Sequence, residues 1–276
     1  MSDDRTPLLC IHGIGDTASA WRTVAGPLAG RRRLILPTLP GHHGGPPLDA
    51  RRPVRMAQLA DHLERVLDDA GIDTAHVVGN SLGGWLALEL LARGRARSVT
   101  ALCPAGGWER GSRFEARLSM RLRVSQRAAK YAAPAMVGLL RSAALRRVLM
   151  ADVSADGAGI DPRVASSFLR GLAGCDGFVP ILDAVIAERL PAIAADCATP
   201  VVVAWGDRDR LLPPESNEGG LLAAVPHARL TRLPGAGHVP MHDDPDAVVA
   251  TILTLTSAVD RGATSAADAA DDQGEC

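Results

Sequence analysis

Gly79-Asn80-Ser81-Leu82-Gly83-Gly84 is the stretch that decides the fold. It follows the short run Ala75-His76-Val77-Val78 and opens the apolar segment Leu82 to Arg93, so it reads as a G-x-S-x-G turn between a strand and a helix. In so tight a turn, Cβ atoms two residues before and two residues after the serine collide with the neighbouring strand and helix. Glycines at 79 and 83 remove both collisions. The turn holds the Ser81 hydroxyl clear of the backbone. It also sets the Leu82 N–H at a helix N-terminus, where donors lack intrahelical partners and the dipole favours developing negative charge.

Outward from this turn, short apolar runs alternate with longer amphipathic ones, the pattern of parallel strands joined by helical crossovers. Strands are predicted at Pro7 to Ile11, Arg33 to Leu36, Ala75 to Val78, Ser98 to Leu102, Pro200 to Trp205 and Ala228 to Leu233. Helices are predicted at Met56 to Ala70, where Leu59, Leu63, Val66 and Leu67 share one face, and at Leu82 to Arg93, Pro214 to Ala224 and Pro245 to Ala258. From about Gly107 to Asp196 the strand signal disappears, and Arg, Ala and Leu at helical spacing are interrupted at Pro134, Gly157, Pro162, Gly177 and Pro191. The expected architecture is therefore a doubly wound, mostly parallel α/β sheet with an inserted helical cap. Its core is residues 1–106 and 197–260, the cap is 107–196, and the small, acidic, aperiodic stretch 261–276 is expected to be a disordered tail.

Composition narrows the classes. Apolar residues make up 47% and charged residues 22% of 276, enough apolar surface for a large core. Thirty basic residues against 31 acidic ones, with 3% aromatics, leave neither a phosphate-attracting field nor stacking platforms, which argues against nucleic acid as a ligand. Cys10, Cys103, Cys175, Cys197 and Cys276 are odd in number and never paired as CxxC, so neither a disulfide framework nor a zinc site is indicated. Met1 to Thr6 is acidic where an export signal is basic, and Ala247 to Val259 falls short of the roughly twenty residues needed to cross a bilayer. The expectation is a cytoplasmic protein without a membrane span.

A serine hydroxyl is a weak nucleophile that needs a base, and the base needs an orienting acid. The run PVVVAW ends in Gly206-Asp207-Arg208-Asp209, and ARLTRL ends in Pro234-Gly235-Ala236-Gly237-His238. Both endings fall at the carboxyl edge of a parallel sheet, the edge that also carries Ser81. Either Asp207 or Asp209 meets the need for an acid.

Together with His12-Gly13-Ile14-Gly15 and Pro40-Gly41-His42 after the first two strands, and with WGDRDRLLP and GAGHVP, these residues resemble the α/β-hydrolase superfamily. The likeness is to its capped, esterase-like serine hydrolases and covers roughly Pro7 to Ala258. It implies Ser81 as nucleophile, His238 as base and Asp209, third after its glycine, as acid, with an oxyanion hole made by the backbone N–H groups of Ile14 and Leu82. Gly13, Trp108 and Val239 are expected to meet substrate. The implied activity is cleavage of a carboxylic ester or thioester of a small acyl substrate through an acyl-enzyme, with no cofactor and no metal.

The GNSLGGW stretch is also similar to that of carbon–carbon bond hydrolases of ring-cleavage products. Those relatives have a glycine-richer loop after His-Gly and a tryptophan after the catalytic histidine, where this chain has Ile14-Gly15-Asp16 and Val239. Carbon–carbon cleavage therefore ranks second, with acyl transfer or perhydrolysis on the same scaffold, and a non-catalytic binding module ranks last. Haloalkane dehalogenases and the related epoxide hydrolases use an aspartate nucleophile, and Ser81 argues against both. Between Arg110 and Met150 there are ten basic residues against the single acid Glu115, which suggests an acyl-carrier protein or coenzyme A thioester as partner, beside the plainer reading of a solvated helix face.

Overall fold

Residues 5–49, 51 and 53–271 are described by the structure, a computed structural model. The chain runs β1 (Pro7–Ile11), α1 (Arg22–Ala29), β2 (Arg33–Ile35), α2 (Met56–Asp69), β3 (Ala75–Asn80), α3 (Leu82–Ala92) and β4 (Ala96–Leu102). Four helices follow, α4 (Arg113–Met136), α5 (Ala143–Leu149), α6 (Pro162–Ala173) and α7 (Phe178–Ala187). The sheet resumes with β5 (Val201–Gly206), α8 (Glu218–Ala224), β6 (Arg229–Leu233), α9 (Pro240–Asp243) and α10 (Pro245–Asp271). All six strands pair in parallel, in the order β2-β1-β3-β4-β5-β6.

Alternate strand residues serve opposite faces. Leu9, Ile11 and Val77 join α2 and α3 through Leu59, Leu63, Leu86 and Leu90, whereas Leu8, Cys10 and Val78 join α1 and α10 through Val24, Leu28, Val248 and Ile252. With helices on both faces, β3 is buried along its whole length. The register sets Asn80 beside Leu102, Leu102 beside Ala204, and Gly206 beside Leu233, so the loops that begin at Ser81, Cys103, Asp207 and Pro234 leave one edge of the sheet together.

The region between β4 and β5 is helical among its described residues. Ser112 caps α4 by accepting from the Glu115 N–H, and Asp161 caps α6, where Pro162 stands at the first turn. Pro134 does not break α4, which ends just beyond it at Met136: within the last turn, the missing backbone N–H costs only one local bond. At the other end of the chain, α10 runs on through Asp271, past Arg261 where a disordered tail was expected. Alanine recurs through 263–270, and its high helix propensity carries the helix forward. Residues 272–276 of that expected tail lie outside the described residues. No helix among the described residues is long and apolar enough to cross a membrane.

Candidate active site

The loop from β3 to α3 is a strained elbow. Ser81 has φ +56° and ψ −115°, a region non-glycine residues rarely occupy. A Cβ on Gly79 would lie 1.9 Å from the Gly83 carbonyl oxygen, and one on Gly83 would lie 2.0 Å from that of Ile11, so backbone atoms forbid any side chain at either position. The Ser81 N–H donates to the Leu102 carbonyl at 2.9 Å, while the Ser81 carbonyl accepts from Gly84, Trp85 and Ala105. The strain is thus held by bonds from both neighbouring elements.

His238 lies in the turn after β6 and is 3% exposed. Its Nδ1 is 2.8 Å from Asp209 Oδ2, and Asp209 Oδ1 accepts the N–H groups of Leu211 and Leu212 at 2.9 and 2.8 Å. With Nδ1 donating to the carboxylate, Nε2 keeps its lone pair. Asp207 is elsewhere: exposed, its Oδ1 accepts the Gly235 N–H at 2.7 Å and braces the turn that delivers His238. Ser81, His238, Gly13 and Val239 line one cavity of about 90 Å³. A second, apolar cavity of about 30 Å³ adjoins Ser81 and is lined by Trp108, Leu82, Leu118, Leu182 and Val185. Ile14 borders both. Among the described residues the Ile14 N–H has no protein acceptor, and Leu82 opens α3 with its N–H at the helix start. Gly13, Ile14, Leu82, Trp108, His238 and Val239 thus border a cavity that Ser81 also lines, and Asp209 holds His238.

Four further residues shape the site. Asn80 donates its Nδ2 to the carbonyls of Leu102 and His238 at 3.1 and 2.9 Å, tying the histidine turn to the strand that ends at Ser81. Asp243 accepts from Gly237 N–H on the histidine turn and from Ala155 and Asp156 N–H in the inserted region, joining the two. Cys103, at φ +44°, receives the Gly206 N–H on its Sγ at 3.4 Å, and burial pushes its thiol well up. Asp16 lines the larger cavity, and burial pushes its carboxyl up to about 7. Nothing in the sequence pattern marks the last three.

The other histidines near the site are structural. His12 accepts the Leu39 N–H on Nε2 at 3.0 Å and stands edge-on to His42 at 4.9 Å; burial holds the two down at about 3 and about 4. Cys103, Asp209 and His238 bring potential ligand atoms within 4.8 Å of one another. Both Asp209 oxygens are already engaged there, with the Leu211 and Leu212 N–H groups and with His238 Nδ1. The basic charge of the inserted region is partly spent internally: Arg121 pairs with Asp152, Arg123 with Asp183 and Lys130 with Asp176, and Arg146 donates to backbone carbonyls.

The profile of the Alpha/beta hydrolase family matches residues 8–251, and the chain belongs to that family. It is a hydrolase of the family in which the "Epoxide hydrolase EphH" of Mycobacterium tuberculosis is 39% identical over 209 residues, 72% of this chain and 94% of that one. The 2-hydroxymuconate semialdehyde hydrolase of Pseudomonas sp. strain CF600 is 39% identical over 106 residues, 36% of this chain and 37% of that protein. The enol-lactonase of Burkholderia xenovorans LB400 superposes with a TM-score of 0.72 over 92% of each chain at 19% identity, a likeness of fold.

Proposed function

We propose that the protein is a serine hydrolase of carboxylic esters or thioesters, with Ser81 as nucleophile, His238 as base, Asp209 as orienting acid, and the Ile14 and Leu82 N–H groups as oxyanion donors. The observation that carries this reading is His238 held on Asp209 at 2.8 Å in the cavity that contains Ser81. His238 Nε2 takes the Ser81 proton as the hydroxyl attacks the carbonyl, and the tetrahedral oxyanion is met by the two N–H groups. Collapse expels the alcohol or thiol, which takes that proton from His238. Water, deprotonated by the same nitrogen, then attacks the acyl-enzyme and releases the acid. The helices between β4 and β5 act as the cap, supplying Leu122, Leu149 and Phe168 to the cavity wall. Any acidic carrier of the acyl group would meet exposed Arg113, Arg117 and Arg127 on α4.

The name of the 39% identical relative raises epoxide opening as a second reading. Attack of Ser81 on an epoxide carbon would leave an alkyl ether, which has no carbonyl for water to attack and would stall the enzyme. A serine at the elbow therefore suits acyl chemistry, and the same oxyanion donors would serve carbon–carbon cleavage of a ketone substrate, the next alternative. The test is turnover of nitrophenyl esters from acetate to decanoate by the parent and by Ser81→Ala. We expect saturable turnover, best for short acyl chains, and a loss of about 10⁴-fold or more in the variant. Esterase activity that survives Ser81→Ala, or turnover of styrene oxide in place of esters, would overturn it.

A further inference from the structure

Two unlike arms meet at Ser81. His238 borders the larger cavity and not the smaller apolar one, and since His238 must hand its proton to the departing group, that group occupies the larger arm and the acyl chain the smaller. On the larger arm stands Asp16, 5% exposed. Its Oδ1 accepts the Thr17 N–H at 2.8 Å, and its other oxygen has no protein partner among the described residues. No lysine or arginine lines the cavity. Its loop is fixed: a Cβ on Gly15 would lie 2.7 Å from Leu172, and one on Gly171 would lie 3.0 Å from the Gly15 carbonyl. Asparagine or serine could accept the Thr17 N–H without the cost of burying a carboxyl, so the second oxygen is what distinguishes aspartate here.

We propose that Asp16 binds a hydroxyl on the leaving-group side of the substrate, so that the enzyme selects esters of hydroxylated alcohols with short acyl chains. The inference rests on the ester reading above. A hydroxyl both donates and accepts, so it satisfies the carboxyl whether or not that group is ionised, and burial pushing Asp16 up to about 7 leaves both forms present near neutrality. An ammonium would match the ionised form alone, and an alkyl group would leave the oxygen unpaired.

The test compares 2-hydroxyethyl butyrate with its isostere propyl butyrate, and with 2-(dimethylamino)ethyl butyrate, on the parent, Asp16→Asn, Asp16→Leu and Asp16→Ala. We expect the parent to favour the hydroxyethyl ester by about 10-fold or more in kcat/KM, mostly through KM, the ratio to fall near one in the Leu and Ala variants, and Asp16→Asn to restore part of it. The ratio is read within each variant, so a general loss from disturbed folding does not mimic the result. A ratio near one in the parent, a ratio unchanged by removing the carboxyl, or a preference for the amino ester would overturn the assignment. If the parent hydrolyses none of the three, the ester reading fails. The dissociation constants of the hydroxyethyl and propyl esters for Ser81→Ala and Ser81→Ala/Asp16→Leu, followed by tryptophan fluorescence, then decide the role of Asp16 by the same ratios.

Discussion

The sheet edge that carries the elbow and the helices inserted between β4 and β5 face each other across one cavity but are built on different terms. At the elbow, backbone atoms fix the geometry: Gly79, Gly83 and Gly206 each have carbonyl oxygens within 2.4 Å of where a Cβ would stand. In the insertion, polar links such as Asp243 to Ala155 and Arg121 to Asp152 set the positions, and among the described residues every large exposed hydrophobic residue except Leu230 is found there, including Met120, Val124, Tyr131 and Leu139. The lesson is that the elbow rests on a frame with no slack, while the facing wall of the cavity rests on contacts that side chains can renegotiate.

Paired glycine substitutions test the contrast most sharply. Gly83→Ala is expected to cost more than about 3 kcal/mol in urea unfolding, because the methyl group meets a backbone oxygen that cannot retreat, whereas Gly138→Ala, with open space around it, should lie within about 0.5 kcal/mol or stabilise slightly. Equal stability for the two would break the comparison. Next in size is the clamp: Asp243→Ala removes a carboxylate that accepts from both regions and should cost about 2–3 kcal/mol, with limited proteolysis appearing first near Ala155.

Asp16→Asn probes the seam between the regions. Burial raises this carboxyl from 3.8 to about 7, so as pH rises above about 4 the unfolded chain ionises first and the parent loses stability until about pH 7, beyond which the loss is constant. The variant lacks that loss, so its melting temperature should exceed the parent's by an amount that grows between pH 4 and pH 7 and is constant above it. A difference that ignores pH would show the carboxyl to be solvated. The smallest effect is expected outside the wall, where Tyr131→Ser, at a side chain 75% exposed, should change stability by less than about 0.5 kcal/mol.

The frame was legible in the sequence because it obeys local rules. Continuous apolar runs mark strands covered on both faces, and Gly79, Gly83 and the positions of Asp209 and His238 after β5 and β6 follow from where a parallel sheet ends. The supports were not legible, because each bridges residues far apart in the chain: Asn80 to His238, Asp243 to Ala155, Cys103 to Gly206. Asp16 was hidden for a related reason. Its burial is imposed by the helices around Leu172 and Phe178, whose periodicity fixes that they are helices but not where they come to rest. The length of α10 was missed because an alanine-rich acidic stretch is ambiguous between a weak helix and a coil, and its continuity with Val248 and Ile252 decides the matter.

β4 and β5 lie side by side, with Val99 beside Val201, although residues 103–200 separate the end of one from the start of the other. To the sheet, that whole stretch is a single loop whose stems stand one strand spacing apart. The entropy of closing such a loop grows only with the logarithm of its length, as (3/2)RT ln n, so lengthening or shortening it by a helix changes the closure cost by only about 0.1–0.2 kcal/mol. Descent with modification thus has a port at which whole helices can be exchanged, reshaping the cavity wall without renegotiating the strands that hold Ser81, Asp209 and His238.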